Sequence, residues 1–265
     1  MREHLLQIAG AENDPARRVN VIREYIQATI LRSLHGAGAF QWLSFVGGTA
    51  LRFVHGVRRF SEDLDFSVES EDRPEISPLA TRIDRDLTRQ GYHVTTSLRS
   101  KVPVQVIWVR VERLLYEVGT AGNPRKKLSV RVEIDTNAPA GAGTETTIVQ
   151  RHAMFTLRHH DLPSLMAGKL NAILTRKYAK GRDWYDLVWY LSRRPRIEPN
   201  LTLLSNALKQ SNSEATPAEW RRELTRQLDT LDANALRSDI EPFLEERGEI
   251  QLLDPGRIRA MLAEG

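Results

Sequence analysis

Apolar residues recur at helical spacing in the first third of the chain. Positions 19, 22, 26, 30 and 34 are all Val, Ile or Leu, which predicts an amphipathic helix over residues 15–35. The Gly-Ala-Gly run that follows is typical of a helix end. A second helix is predicted over residues 76–91, because the same spacing returns there and closes on a glycine.

Other stretches are apolar or alternate between apolar and polar residues, and they predict strands at 41–46, 63–68, 92–98, 102–111 and 128–135. In residues 63–68, Leu64 and Phe66 point to one face, so Asp63 and Asp65 share the other. In residues 128–135 the apolar positions alternate with Arg131, Glu133 and Asp135.

From about residue 161 the pattern is helical, with segments at 162–179, 183–192 and 216–231 and two short helices at the C-terminal end. The sequence therefore predicts an α/β (α+β) fold whose first half carries a short mixed β-sheet and whose second half is all-helical. We place the two domains at residues 1–150 and 151–265, with the Ala-, Gly- and Pro-rich residues 136–145 as a candidate linker.

Composition narrows the class of protein. Hydrophobic residues make up 41% and charged residues 27% of the 265 residues, as in ordinary globular proteins. The chain has no cysteine, which excludes disulfides and thiolate sites. No apolar run is long enough for a membrane span and the first residues do not resemble a signal peptide, so a cytoplasmic protein without a membrane partner is expected.

Net charge is only +4, but the cations are concentrated in the middle third of the chain. Lysines and arginines are frequent in three segments, at 125–127, 176–182 and 192–196. This clustering favours a surface for an anionic ligand, with a merely solvated face as the alternative. The seven histidines show no metal-ligand spacing, and His159 and His160 are expected at the surface.

The Asp63–Asp65 pair is the first candidate for chemistry. Two carboxylates on one strand face can hold a pair of divalent cations of the kind used in phosphoryl and nucleotidyl transfer. Such a site draws a further carboxylate from a neighbouring strand, where Glu133 and Asp135 are both candidates. The alternative is that the aspartates are simply solvated.

A glycine turn precedes this pair. Gly47 and Gly48 lie between a predicted strand and a helix beginning near Thr49, where backbone N–H groups and the helix N-terminus favour an anion such as a triphosphate. No P-loop motif is present. Arg59 and Ser61 follow in the connecting loop, where a bland interpretation pairs Arg59 with Glu62.

These motifs resemble a known family. Gly-Gly-Thr-Ala-Leu at 47–51, followed by Arg-x-Ser-x-Asp-Leu-Asp-Phe at 59–66, is similar to the first motif of the AbiEii/AbiGii toxin family of nucleotidyltransferases, which includes the mycobacterial MenT toxins. Residues 114–119 and 128–137 look like the family's acidic strand, and residues 161–192 look like its late motifs. The resemblance runs from about residue 42 to about residue 205, roughly 60% of the chain.

The resemblance implies roles for individual residues, in a nucleotidyltransferase-fold core whose active site the helical domain completes. Gly47, Gly48 and Thr49, with Arg59 and Ser61, would bind nucleotide phosphates. Asp63 and Asp65 would hold two Mg²⁺ ions, with Glu133 as third carboxylate and Asp135 as the other possibility. Ser61 is also a candidate regulatory site, since some relatives are phosphorylated at this position.

The late motifs imply a basic and acidic set on the helices. Lys169 would be the catalytic lysine that contacts triphosphate, Arg176 would support it, and Asp183 would be an essential acid. Lys169 and Arg176 are seven residues apart, which places them on nearly one stripe of a continuous helix. Two long cations pointing one way suit a departing pyrophosphate. For Asp183 the alternative is a helix N-cap.

We therefore expect an Mg²⁺-dependent enzyme that transfers a nucleoside monophosphate from an NTP to an acceptor hydroxyl and releases pyrophosphate. The resemblance points to the 3′ end of tRNA as acceptor, with blocked translation and growth as the consequence, and to an antitoxin partner that neutralises the protein. Two alternatives remain open: a nucleotidyltransferase with a protein or small-molecule acceptor, and a non-catalytic RNA-binding protein of the same fold.

Overall fold

A computed structural model of the chain describes residues 2–70, 74–100 and 103–264. The chain forms two compact units. The first unit contains the residues up to 56, residues 60–138 and residues 145–159, and the second contains residues 57–59, 139–144 and those from 160 onward.

A seven-stranded mixed sheet organises the first unit. Its strands are β1 (Leu43–Val46), β2 (Leu64–Val68), β3 (Val94–Ser100), β4 (Val104–Val111), β5 (Leu128–Asp135), β6 (Thr144–Val149) and β7 (Phe155–His160). Across the sheet they follow the order β3-β4-β5-β2-β1-β7-β6. β2 pairs with β5 and β1 with β7 in parallel, whereas β1–β2, β3–β4 and β4–β5 are antiparallel.

Helices of the first unit are α1 (Arg2–Ala11), α2 (Pro15–Gly36), α3 (Gly47–His55), α4 (Ser77–Arg89) and the short α5 (Leu114–Glu117). Asp14 caps α2 by accepting hydrogen bonds from the N–H groups of Ala16 and Arg17, and Pro15 starts the helix. The apolar stripe of α2 is buried and packs on β5, while α4 packs on β3. The apolar face of the sheet is therefore the core of this unit.

In the second unit, the helices are α6 (Leu162–Thr175), α7 (Gly181–Leu191), α8 (Leu201–Gln210), α9 (Trp220–Leu228), α10 (Ala233–Ile240) and α11 (Pro255–Ala263). Helix α6 packs on α7, α8 and α9, and α7 also contacts α10 and α11. Trp184, Leu187 and Val188 of α7 are buried, as their spacing predicts. The second unit is thus a helical bundle built around α6 and α7.

The predicted helices and the first five strands are found to within a few residues, and helices α1 and α8 were not predicted. Helix α6 ends at Thr175 and the backbone of Arg176 is extended, so the expectation of one continuous helix through Lys169 and Arg176 is wrong.

Strands β6 and β7 were not predicted, because residues 144–149 carry three threonines and a glutamate, and residues 155–160 read as an apolar-basic mixture. The expected surface position of His159 and His160 is wrong. Both lie on β7 and are buried, and the ring of His159 is 2.9 Å from the hydroxyl of Thr147.

Among the residues that the structure describes, no helix has the combined length and apolar character that crossing a bilayer requires.

Candidate active site

Three carboxylates occupy the polar face of the sheet in the first unit. Asp63 directly precedes β2, Asp65 lies within it, and Glu133 lies on the neighbouring strand β5. The parallel pairing puts Asp65 opposite Glu133. Side chains directly opposite each other in a sheet are close neighbours. We call Asp63, Asp65 and Glu133 the carboxylate face.

Register also separates Glu133 from Asp135. Asp135 pairs with Ser67, one step further along β2, and its Oδ1 accepts a hydrogen bond of 2.9 Å from the N–H of Asn137. Glu133 stands beside Asp65, whereas Asp135 stands beside a serine and closes a turn. Strand register therefore favours Glu133 as the third carboxylate.

A cation already lies on the carboxylate face. Arg131 donates from Nε to Oδ1 of Asp63 at 2.9 Å and from a second nitrogen to the other oxygen of that carboxylate. Its Nη1 is 3.1 Å from Oε1 of Glu133. The hydrogen bond and charge of Asp63, together with the charges of Glu133 and Asp65, raise the pKa of Arg131 despite its partial burial. This guanidinium balances part of the negative charge of the face.

The glycine turn lies directly against Asp65. Gly47 starts α3 with a φ of +76°, and a Cβ added at this position would lie 2.5 Å from Oδ2 of Asp65. Both the left-handed backbone and the close approach require glycine here. Because Gly47 and Gly48 begin α3, their N–H groups lack intrahelical acceptors and are available to an anion.

Thr49 stabilises the same region from inside the core. It is fully buried, and its hydroxyl donates a hydrogen bond to the backbone carbonyl of Asp63. Its side chain therefore holds Asp63 in place. Any contact of Thr49 with a nucleotide would have to come from its backbone N–H.

Ser61 is half-buried, and its carbonyl accepts a hydrogen bond of 3.1 Å from the side-chain amide of Gln27. It lies two residues before Asp63, so a change in its charge would act close to the carboxylate face. Its phosphate-binding and regulatory roles stay predictions.

Oxygen ligands of the carboxylate face match the preference of Mg²⁺, and three carboxylates from two adjacent strands are a suitable donor set. In this arrangement, however, Arg131 engages two of them. Among residues 2–70, 74–100 and 103–264, no three acidic or histidine side chains converge tightly enough to hold a metal ion. The residues therefore fit the ion by type, and metal binding requires Arg131 to release Asp63 and Glu133.

A second group of charges lies in the helical unit. Lys169 of α6 donates to Asp183 at 2.8 Å and also lies 2.8 Å from Asp186, both of α7. Arg176 contacts Asp183, and Arg59 binds Asp186 through two hydrogen bonds of 2.6 and 2.5 Å. We call these five residues the ion-pair cluster. Its three cations exceed its two carboxylates by one charge.

Burial and charge together set the ionisation of the ion-pair cluster. Burial alone would lower the pKa of Lys169, but the charges of Asp186 and Asp183 raise it above its usual value. Burial alone would raise the pKa of Asp183, but the charge and hydrogen bond of Lys169, with the charge of Arg176, lower it. Both groups are therefore charged at neutral pH.

Asp183 does not cap α7, so the N-cap interpretation is wrong. The helix begins at Gly181 with Lys180 as the capping residue, and Asp183 is its third residue. Its carboxylate binds cations instead. The surface interpretation of Arg59 is also wrong, because its side chain is only 2% exposed and is anchored to Asp186.

A cavity of about 470 Å³ opens beside the ion-pair cluster within the helical unit. Arg176, Lys177 and Lys180 line it, together with Asp183 and Asp232. The amino group of Lys180 is 5.9 Å from the ring centre of Tyr178, whose side chain is exposed. Its cations suit an anionic ligand.

Two residues of these groups, Asp186 and Arg131, were not among the candidates that the sequence indicates. Asp186 stands in the Arg-Asp-x-x-Asp motif at 182–186, and its spacing of three residues from Asp183 on a helix could have placed both on one face. Arg131 alternates with Glu133, so its presence on the acidic face follows from the strand pattern. Its pairing with Asp63 depends on strand order, which the sequence does not encode locally.

Solved structures with a similar fold were found in Helicobacter pylori. The crystal structure of JHP933 superposes with a TM-score of 0.61 at 18% sequence identity, covering 92% of this chain and 90% of that one. A second H. pylori protein, described as a candidate nucleotidyltransferase, gives a TM-score of 0.52 at 20% identity, with 91% and 95% coverage. At such identities the likeness shows the fold. No match was found among curated proteins.

The sequence profile of the family described as nucleotidyl transferase AbiEii toxin, type IV toxin–antitoxin system, matches residues 29–258. This range contains the carboxylate face, the glycine turn and the ion-pair cluster. The match extends well beyond residue 205, to which the motifs in the sequence could be followed. The chain therefore belongs to the AbiEii family of nucleotidyl transferase toxins.

Proposed function

We propose that the protein is an Mg²⁺-dependent enzyme that transfers a nucleoside monophosphate from an NTP to the 3′ end of tRNA. The observation that carries this proposal is the placement of Asp65 between Gly47 and Glu133, with the glycine turn on one side and a second carboxylate strand on the other. In the reaction, an acceptor oxygen bonds to the α-phosphorus, the bond to the β-phosphate oxygen breaks, and pyrophosphate leaves. The acceptor proton passes to water.

Residues of the first unit would position the donor. The N–H groups of Gly47 and Gly48 would bind phosphate oxygens at the start of α3. Asp63, Asp65 and Glu133 would hold Mg²⁺ once Arg131 has released them. When bound, the divalent ions supply charge neutralisation and activate the acceptor hydroxyl. Arg131, freed from its carboxylates, is then available to a phosphate.

Residues of the second unit would supply positive charge. By the family resemblance, Lys169 and Arg176 contact the triphosphate and Asp183 holds them in position. The proposal is supported by the one-charge excess of the ion-pair cluster and by the half-exposed guanidinium of Arg176. Lys169 is only 11% exposed and is bound by two carboxylates, so its role requires it to leave Asp183, which Arg176 also contacts.

Two observations support tRNA as the acceptor: the positive charge of the cavity in the helical unit and the membership of the AbiEii family. A strongly anionic tRNA would suit the cationic cavity around Arg176, Lys177 and Lys180. A blocked 3′ end would prevent aminoacylation and so halt translation and growth. The family's toxin–antitoxin character implies a neutralising antitoxin. Phosphorylation of Ser61, two residues from Asp63, is a second proposed means of inactivation.

The test is incubation of the purified protein with total tRNA, Mg²⁺ and each α-labelled NTP in turn. We expect label on tRNA with one or two of the NTPs, and none with Asp63→Ala. Parallel reactions with protein and small-molecule acceptors test the rival substrates. Label on these and not on tRNA would overturn the tRNA assignment, and label on nothing would favour a protein that only binds.

Salt dependence separates the acceptors further. Phosphate contacts release counterions, so tRNA binding should weaken steeply as salt rises. If the acceptor is an uncharged small molecule, no such fall of tRNA affinity with salt concentration is expected.

A further inference from the structure

A tryptophan stands on the same polar sheet face as the carboxylates. Trp108 of β4 pairs with Arg131 of β5, and Arg131 is two residues from Glu133. On β3, the edge strand, Trp108 pairs with Ser97. Residues opposite or diagonal across strands lie about 5–8 Å apart, so Trp108 is a near neighbour of the carboxylate face.

Two guanidinium groups lie over this ring. The guanidinium carbons of Arg110 and Arg131 lie 5.2 and 5.7 Å from its centre. The Trp108 side chain is half-buried, and Ser97 and Arg99 beside it on β3 are exposed. We call Trp108, Arg99, Arg110 and Arg131 the tryptophan platform.

Without bound metal, hydrogen bonds orient two cations of the platform. Arg110 donates to the hydroxyl of Ser97 at 2.9 Å, and Arg131 is held by Asp63 and Glu133. The positions come from three adjacent strands of a regular antiparallel ladder. An aromatic ring and guanidinium planes so arranged can stack with a base, while their charges attract phosphate.

Strand order indicates whether the donor NTP or the acceptor RNA would lie on the platform. The sheet order is β3-β4-β5-β2-β1, and the glycine turn follows β1. Phosphates at Gly47 would therefore lie on one side of Asp65, and Trp108 lies on the other side, beyond Glu133. The donor and the acceptor approach a reacting phosphorus from opposite sides, so the platform is on the acceptor side.

We propose that the tryptophan platform binds the unpaired 3′-terminal nucleotides of a single-stranded RNA acceptor by stacking a base on Trp108. This inference rests on the proposed nucleotidyl transfer and adds the acceptor's subsite to it. Arg99 contacts the RNA backbone, since it is exposed at the sheet edge. The platform selects single-stranded ends because an unpaired base can turn out of its stack onto the ring, whereas a base in a duplex is held by its pairing partner and its stacked neighbour.

The test measures RNA binding alone, without NTP or metal. The probe is a short 5′-labelled single-stranded RNA with a free 3′ hydroxyl, followed by fluorescence anisotropy, beside a blunt duplex of the same sequence. Trp108→Ala should weaken single-strand binding by about 5-fold to about 150-fold, the loss that one stacked base gives on alanine substitution. Trp108→Phe should retain most of the affinity, and duplex binding should not change.

Two controls match these variants. Trp42→Ala removes a half-buried tryptophan of the same unit that lies outside β3, β4 and β5, and it should leave the Kd unchanged. Arg99→Gln, whose side chain is exposed and removable without a cavity, should reduce the salt slope by about one phosphate contact, whereas Arg85→Gln on α4 should not.

The inference is overturned if these substitutions leave single-strand RNA binding unchanged. A natively stable Trp108→Ala or Arg99→Gln protein with unchanged single-strand affinity would do so, as would a Trp108→Ala protein that loses NTP affinity instead. Because binding is measured without chemistry, RNA binding without any transfer contradicts only the proposed function. Normal transfer with an unchanged Kd in Trp108→Ala contradicts only the platform.

Discussion

At the residue scale, the close approach of Gly47 to Asp65 connects the glycine turn to the carboxylate face. A side chain at position 47 would need a strained backbone and would collide with the Asp65 carboxylate. These two penalties can be separated, because Gly56 has a similar φ of +69° with nothing within 4 Å of an added Cβ.

Gly47→Ala should therefore abolish nucleotide transfer, whereas Gly56→Ala should retain it. Both substitutions carry the left-handed strain of about 1–2 kcal/mol in the free energy of unfolding. Only the first displaces Asp65. Urea unfolding and the transfer rate, measured on both variants, check this. Equal activity in the two variants would show that the turn does not set the position of Asp65.

Much of the site could be predicted at this scale. The strand alternation placed Asp63, Asp65 and Glu133 on polar faces, and the glycine pair marked the turn. The sequence did not reveal that Thr49 is buried or that Arg131 binds Asp63, because both depend on contacts between residues 14 and 68 positions apart.

At the element scale, Glu24 joins three segments of the first unit. It lies on α2 and binds Arg52 of α3, and it also accepts from Arg151 and His152 at 2.9 Å each. Burial alone would raise the pKa of Glu24, but the hydrogen bond to His152 and the charges of Arg52 and Arg151 lower it to about 2.

This shift predicts a pH dependence of stability. The folded pKa of Glu24 lies below its ordinary value of 4.5, so its contribution is complete above pH 4.5 and is lost as the pH falls toward 2. The shift corresponds to about 3 kcal/mol. Urea unfolding between pH 7 and pH 3 should show the difference between the protein and Glu24→Gln shrinking as the pH falls. A constant difference would mean that Glu24 has an ordinary pKa.

Arg59 and Asp186 connect the segment 57–59 to α7 in the second unit. Asp186→Asn leaves Arg59 and Lys169 with less counter-charge in a buried site, which should cost about 3–5 kcal/mol of unfolding free energy. The exposed pair of Arg259 and Asp229, 2.6 Å apart, is a matched control, and Asp229→Asn should cost at most about 1 kcal/mol. Calorimetric melting of both variants tests this. Similar losses would contradict the structural role of the buried pair.

The ion-pair cluster also affects how activity data are interpreted. Because Lys169 balances two buried carboxylates, a substitution there removes folding stability as well as a candidate phosphate contact. Loss of transfer in such a variant supports a catalytic role only if its unfolding free energy is retained.

At the scale of the whole molecule, the sequence predicted a mixed sheet followed by helices, and this holds for the described residues. The sheet is larger than the predicted short sheet, since β6 and β7 add to it beyond β1. Strand β7 joins the sheet through β1, which is distant in the sequence, and β6 lies beside β7. Periodicity within each short segment does not report these pairings. The chain also enters the second unit twice before residue 160, at 57–59 and 139–144. The predicted division between residues 1–150 and 151–265 does not include these two short segments in the second unit.

The central claim is that Asp63, Asp65 and Glu133 act together in nucleotide transfer. Its most direct test is the rate of labelled nucleotide transfer by Glu133→Gln beside Asp135→Asn. Both remove one negative charge from the same strand face, but only Glu133 stands opposite Asp65. Outer-shell partners of a metal typically contribute 10–100-fold, so loss of a ligand should cost about 100-fold or more.

We predict that Glu133→Gln loses transfer by at least that factor and that Asp135→Asn stays within about 10-fold of the unsubstituted protein. The account would be contradicted if Glu133→Gln transferred nucleotide at the unsubstituted rate, or if the unsubstituted protein transferred none from any NTP.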